Sequence, residues 1–314
     1  MIDQAEELRE IMRKKRYGSS LLFSASRSNR NNSILQSSNE PRLNIEKKKN
    51  RIITITSGKG GVGKTNLSVN MAVAFARIGK KVVIMDADLG LGNVNVMLNI
   101  IPRHNLYHVI KKQMSFRDII LETEYGFSIV PGVSGFSQIA NMDKQERLFF
   151  IEELEAALSF ADIVIIDTGA GVSSNVMDFI AAADDAIIIT TPEPTAITDA
   201  YGIIKIIAME YNLFNLSLKL VVNRTRGSAE AKSVANNMIK TIGQYLYMKV
   251  DYLGFIYDDP AIPSAVRHQR PLMIIDPKSK ASICIQHMAE RIDKNLPEET
   301  GGIGSMLKKI FNRS

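Results

Sequence analysis

Gly58-Lys59-Gly60-Gly61-Val62-Gly63-Lys64-Thr65 follows the apolar, β-branched run Ile52-Ile53-Thr54-Ile55-Thr56 and precedes the helical pattern Leu67 to Ala76. A strand, a glycine loop and a helix in that order are the context that the phosphate-binding consensus of a glycine, four residues and Gly-Lys-Thr requires. The glycines let the backbone turn tightly, so that amide N–H groups and the positive end of the helix dipole converge on phosphate oxygens. Within this reading Gly58 to Asn66 form the nucleotide cradle, Lys64 reaches the β- and γ-phosphates, and the Thr65 hydroxyl holds Mg²⁺. A second lysine, Lys59, sits inside the loop.

Downstream, Val82-Val83-Ile84-Met85-Asp86-Ala87-Asp88 is a buried strand that ends in two carboxylates, and Ile163-Val164-Ile165-Ile166-Asp167 ends in a third, followed by the Gly169 turn. In a parallel sheet the carboxyl edge is where ligands bind, so all three acids point to the crevice of the glycine loop. Asp86 and Asp167 are expected in the Mg²⁺ shell and Asp88 beside the attacking water; a turn of solvated carboxylates is the alternative for the first pair. Further apolar strands at 186–191, 218–223 and 252–256 alternate with helical segments at 143–160 and 195–211. The expected fold is α/β: a mostly parallel twisted sheet with helices on both faces. No Asn-Lys-x-Asp guanine signature occurs, so ATP is the expected nucleotide, with Asn223 and Arg224 at a strand end as the base contact. Asp178, Asp184 and Asp185 read as structural.

The chain has 314 residues, 45% hydrophobic, and a formal charge of +6. No apolar run is long enough to span a bilayer, and the N-terminus lacks the pattern of a secretory signal. One cysteine, Cys284, makes neither an internal disulfide nor a cluster site and reads as a core residue; His104 and His108 lack the glutamate of a zinc-protease helix. The excess charge lies in residues 1–50, which hold eleven Lys and Arg against six Asp and Glu. Such an arm attracts nucleic acid or an anionic membrane, or is merely a solvated tail.

Four regions follow. Residues 1–16 form a short helix with Ala5, Leu8, Ile11 and Met12 on one side, acids first and bases last, as the helix dipole prefers. Residues 17–50 are a basic, Ser/Asn-rich linker able to hold that helix on the order of 30 Å from the core. Residues 51–296 are the nucleotide-binding domain. In 297–314, Ile303, Met306, Leu307, Ile310 and Phe311 make one apolar face with Lys308, Lys309 and Arg313 on the polar side. A short basic amphipathic helix binds anionic membrane surfaces reversibly; the alternative is a last helix packed on its own core, and the two can hold in turn.

Together these residues resemble the P-loop ATPases with a deviant, lysine-bearing loop, the MinD/ParA family. The resemblance implies that Lys59 crosses an ATP-sandwiched homodimer to the partner's phosphates and that Lys59, Lys64 and Asp88 are the catalytic set. It also implies that Asp86 and Asp167 are the magnesium-linked acids and that Asn223 and Arg224 meet adenine. Pro192-Glu193-Pro194-Thr195 and Asp258-Asp259-Pro260 look like family loops near the nucleotide.

Asp3, Gln4, Ala5, Leu8 and Arg9 match the DQAxxLR motif of the flagellar-number regulators (FlhG, FleN, YlxH), which implies an FlhF-type signal-recognition GTPase as partner, with Gln4 entering its active site. Flagellar basal-body components and a cytoplasmic location, peripheral to the inner face of the cell membrane in the ATP state, follow from the same likeness. A ParA-like DNA-binding positioning ATPase and a scaffolding or transcription-regulating protein with ATP as a structural ligand are the alternatives.

Overall fold

Seven consecutive buried residues, Arg51–Ser57, form strand β1 at the heart of an eight-stranded sheet in a computed structural model of the chain. The structure describes residues 50–88, 93–132, 143–210, 216–295 and 302–311. The chain divides into two compact units, Met1–Ile45 and Glu46–Ser314. All described residues fall in the second, so the motif residues Asp3, Gln4, Ala5, Leu8 and Arg9 and the linker through residue 49 lie outside them.

The other strands are β2 (Val82–Ala87), β3 (Leu121–Glu122), β4 (Ser128–Val130), β5 (Ile163–Ala170), β6 (Asp185–Thr190), β7 (Ser217–Thr225) and β8 (Asp251–Tyr257), in the order β3-β4-β2-β5-β1-β6-β7-β8. All pairs are parallel except β3 with β4. The two-residue β3 is too short to carry a period in the sequence, and it blunts the sheet edge.

Helices cover both faces because the central strands are apolar on both faces. Ile53 and Ile55 of β1, Val82 and Ile84 of β2 and Ile163 and Ile165 of β5 point into one cluster with α1 (Lys64–Arg77). The residues between them, Ile52, Val83, Met85, Val164 and Ile166, point into the opposite cluster. Between β2 and β5 lie α2 (Asn93–Met97), α3 (Leu106–Ile110), α4 (Phe116–Ile119) and α5 (Lys144–Ala157). Asp143 caps α5 by accepting from the amides of Gln145 and Glu146. The chain then adds α6 (Ser174–Ala182), α7 (Pro194–Glu210), α8 (Ser228–Leu246), α9 (Ala261–Arg267), α10 (Leu272–Ile275), α11 (Lys280–Lys294) and α12 (Gly302–Phe311).

The expected amphipathic tail is α12, and here its apolar face is spent. Ile303, Met306, Leu307, Ile310 and Phe311 are all buried, in the cluster that α5 and β1 share. At the amino edge of the sheet Asp185 is a structural acid, as expected: it pairs with Arg51 at 2.6 Å and Lys219 at 3.2 Å, out of water. Asp184 accepts the amide of Ile52. Cys284 is half-buried rather than a full core residue, and burial pushes its thiol up. No helix among the described residues is long and apolar enough to cross a membrane.

Candidate nucleotide site

The glycine loop leaves the carboxyl end of β1 and enters α1 through Gly63, whose φ of 98° is left-handed; Gly61 has φ 78°. Both values are strained for any residue with a Cβ. Gly58 is fixed for a different reason, since a Cβ there would fall 2.3 Å from the backbone of Asp199 on α7. Lys64 is the first residue of α1 and is buried.

The loop opens onto a crevice of about 480 Å³ lined by Lys64, Thr65, Asp88, Asn93, Val96 and Gln269, among others. A second cavity of about 380 Å³, lined by Asn223, Arg224, Asp258, Asp259, Ile262 and Pro263, shares Gly63, Asn66 and Val266 with it. One cavity lies at the head of α1 beside Lys64 and Thr65 and the other is walled by side chains at the end of β7, a division that suits phosphate and base. Asp258 and Asp259 of the Asp258-Asp259-Pro260 loop line this second cavity.

β2 and β5 are neighbours, and their register sets Asp86 opposite Asp167. Both are fully buried. Burial first, and then the Asp167 charge, push the Asp86 carboxyl up to about 7, although the amides of Val94 and Asp88 donate to it. Burial likewise raises Asp167, opposed by the Lys64 charge and by the Ser68 hydroxyl that donates to Oδ1 at 2.8 Å. The other Asp167 oxygen, Oδ2, is buried without a hydrogen-bond partner in the structure. Two buried acids of raised pKa and an orphaned carboxylate oxygen close to Thr65 fit a divalent cation. Mg²⁺ takes one or two carboxylates and completes its shell with phosphates and water. Among the described residues no cluster of three or more His, Cys, Asp or Glu could hold a metal without such help.

Asp88 lies at the crevice mouth, accepting from the Asn93 side chain at 2.9 Å, with Oδ1 3.6 Å from where a Gly169 Cβ would be. Lys59 does not enter the crevice of its own loop. Its ammonium lies 3.1 Å from the Glu193 carboxylate and 3.3 Å from the Thr195 hydroxyl, with the side chain 43% exposed. Asn223 and Arg224 border the second cavity, and their donors are turned to the phosphate loop: Asn223 Nδ2 to the Val62 carbonyl at 2.7 Å and Arg224 Nη2 to the Gly61 carbonyl at 2.9 Å.

Ser68, Asn93 and Gln269 belong to no motif of the sequence. Ser68 is one turn past Lys64 on α1, a position the phosphate consensus does not cover. Asn93 and Gln269 reach the site from α2 and from the end of α9, which only the packing of those helices brings there. Gln269 adopts φ 51° and donates to the Val96 carbonyl.

A buried lysine and a hydroxyl at the start of a helix, behind a glycine loop and facing acids from adjacent strand ends, define a P-loop nucleoside-triphosphate site. The comparisons agree: an AAA domain family model matches residues 50–220. The antiactivator FleN of Pseudomonas aeruginosa is 33% identical over 243 residues, covering 77% of this chain and 86% of the relative. The flagellum site-determining protein YlxH of Helicobacter pylori is 35% identical over 269 residues, 84% of this chain and 89% of that protein. The septum site-determining protein MinD from Pyrococcus horikoshii, solved with Mg-ADP, superposes with a TM-score of 0.61 at 26% identity, covering 78% of this chain and 96% of that one. The chain belongs to the MinD/ParA-type family of P-loop ATPases.

Proposed function

We propose that this protein is an ATP-dependent dimerising switch that regulates flagellar number and placement. Its likeness to the antiactivator FleN and to the flagellum site-determining YlxH supports the flagellar role. The observation that carries the switch is the position of Lys59: it stands outside its own phosphate crevice, half-exposed and held by surface contacts with Glu193 and Thr195. A surface pair of this kind is worth about 0–1 kcal/mol, so a second subunit's triphosphate competes for the lysine readily.

In the catalytic reading Lys64 neutralises the β- and γ-phosphate oxygens from the head of α1, and the loop amides orient them. Asp86, Asp167 and Thr65 would hold the cation, which would supply positive charge against the negative charge that develops on the departing ADP. Asp88 accepts a hydrogen bond from the attacking water and orients it, with Asn93 fixing the carboxylate. Slow hydrolysis then resets the dimer.

The tail is the output. In the form described here α12 buries its apolar face; in the ATP dimer that face binds an anionic bilayer at the inner side of the cell membrane. Such a change is a population shift, set by how much better each form binds its partner. The N-terminal helix, with Gln4, is the second output and stimulates an FlhF-type GTPase; basal-body components are further partners.

Two measurements test the reading. GTP hydrolysis by an FlhF-type GTPase is compared with full-length protein and with a form lacking residues 1–16; the same rate in both removes the activator role. Asp88→Ala is expected to accumulate on anionic liposomes with ATP, and rapid turnover in that variant removes the role given to Asp88.

A further inference from the structure

Asn223 and Arg224 are expected to meet the base, and both line the second cavity, yet their side-chain donors are turned to the loop. Asn223 is buried, its amide nitrogen donates to the Val62 carbonyl at 2.7 Å, and its carbonyl accepts the Arg224 amide at 2.8 Å. The fit is close: a Cβ on Gly63 would lie 2.4 Å from Asn223 Nδ2, so the left-handed glycine and this amide occupy one space. Arg224 has φ 55°, a backbone conformation few non-glycine residues adopt. That turn aims its guanidinium back at the Gly61 carbonyl, 2.9 Å away.

Two successive loop carbonyls, those of Gly61 and Val62, are thus drawn toward the end of β7. A peptide unit is planar and trans, so its C=O and the N–H that follows point in opposite directions. Fixing the Gly61 and Val62 carbonyls toward β7 therefore fixes the N–H groups of Val62 and Gly63 away from it. In a phosphate loop those amides are the ligands, and their worth depends on being oriented before the anion arrives.

We propose that Asn223 and Arg224 are positioning residues for the phosphate loop, their side chains holding the carbonyls of Val62 and Gly61 and so aiming the following amides at the triphosphate, whatever base is attached. The inference rests on the nucleotide reading of the site and adds to it a mechanical link: the wall of the base cavity is also the brace of the phosphate cradle.

The test separates brace from base contact by removing the base. Displacement of a fluorescent ATP analogue from the full chain is measured with Mg²⁺, using ATP and using inorganic tripolyphosphate. Asn223→Leu keeps the branched shape and removes the donor without adding charge. Arg224→Gly keeps the left-handed backbone without the guanidinium and is read at high salt, where loss of a bare surface charge is screened.

Both variants are expected to weaken ATP and tripolyphosphate by the same factor, roughly tenfold for a lost hydrogen bond that organises the site. Weaker ATP with unchanged tripolyphosphate would mean base recognition alone and overturns the proposal. So does a wild-type chain that binds ATP but is not displaced by tripolyphosphate. A wild-type chain that binds neither overturns the nucleotide reading as well, which tells the two failures apart. If Asn223→Leu melts early without ligand, Arg224→Gly, altered at an exposed side chain, carries the test.

Discussion

Arg147 on α5 holds Phe311 on α12 in two ways: Nη1 donates to the Phe311 carbonyl at 2.9 Å, and the guanidinium lies 5.4 Å from the ring centroid. A cation at the carboxyl end of a helix satisfies a terminal carbonyl and complements the dipole. Arg147→Ala is expected to loosen α12 without unfolding the sheet and to raise nucleotide-independent binding to anionic vesicles roughly ten- to a hundredfold, the value of a charge-assisted hydrogen bond. Vesicle sedimentation without ATP measures it; unchanged binding would detach Arg147 from the docking of the tail.

At the other end of α12, Gly304 lies against Glu155, and a Cβ there would fall 2.4 Å from Oε2. The obstruction is the tip of a flexible side chain, which can swing away. Gly304→Ala is therefore expected to cost less than about 1 kcal/mol in thermal unfolding, in contrast to Arg147→Ala. A larger loss would mean that Glu155 is fixed and that α12 is clasped at both ends.

Lys59→Ala removes only a half-exposed pair with Glu193 and an exposed hydrogen bond to Thr195. Stability should change by less than about 0.5 kcal/mol, while dimer formation with a non-hydrolysable ATP analogue should be lost. Light scattering reads the dimer and a denaturant melt reads the fold. A normal dimer in this variant would end the assignment of Lys59 to the partner's phosphates.

Asp86 sets a pH dependence whose sign can be worked out. Its carboxyl titrates near 7 in the folded chain against 3.8 ordinarily, so between those values the folded state holds a proton that the unfolded state has released. Metal-free stability from this group therefore falls as pH rises from about 4 to 7. Mg²⁺ needs the ionised form, so cation affinity should rise over the same range. Asp86→Asn should flatten both curves. A metal-free melting temperature with the same slope in wild type and variant would contradict the assignment.

Ser68 supplies the hydrogen bond to Asp167 Oδ1 while Oδ2 has no partner. Ser68→Ala is expected to cost about 1–3 kcal/mol in stability and to weaken Mg²⁺ binding, because the acid loses the donor that favours its charged form. Calorimetric titration with Mg²⁺ and a nucleotide checks it. An unchanged affinity would place the cation away from Asp167.

The nucleotide fold is legible in the linear order of residues. A glycine loop between a β-branched run and a helix, and apolar runs closing on Asp86 and Asp167, are local patterns whose geometry follows from backbone sterics and strand periodicity. Those patterns also place the acids at one sheet edge, since parallel strands all end on the same side. What only the tertiary structure decided depends on which elements meet. The apolar face of Ile303 to Phe311 looks the same on paper whether it meets lipid or protein, and the packing of α12 on α5 and β1 puts it in the core. Lys59 carries no mark in the sequence of the Glu193 that holds it, and nothing local turns the donors of Asn223 and Arg224 back to the loop. Each of these is a contact between segments far apart in the chain, set by the balance of burial and hydrogen bonding across the whole fold.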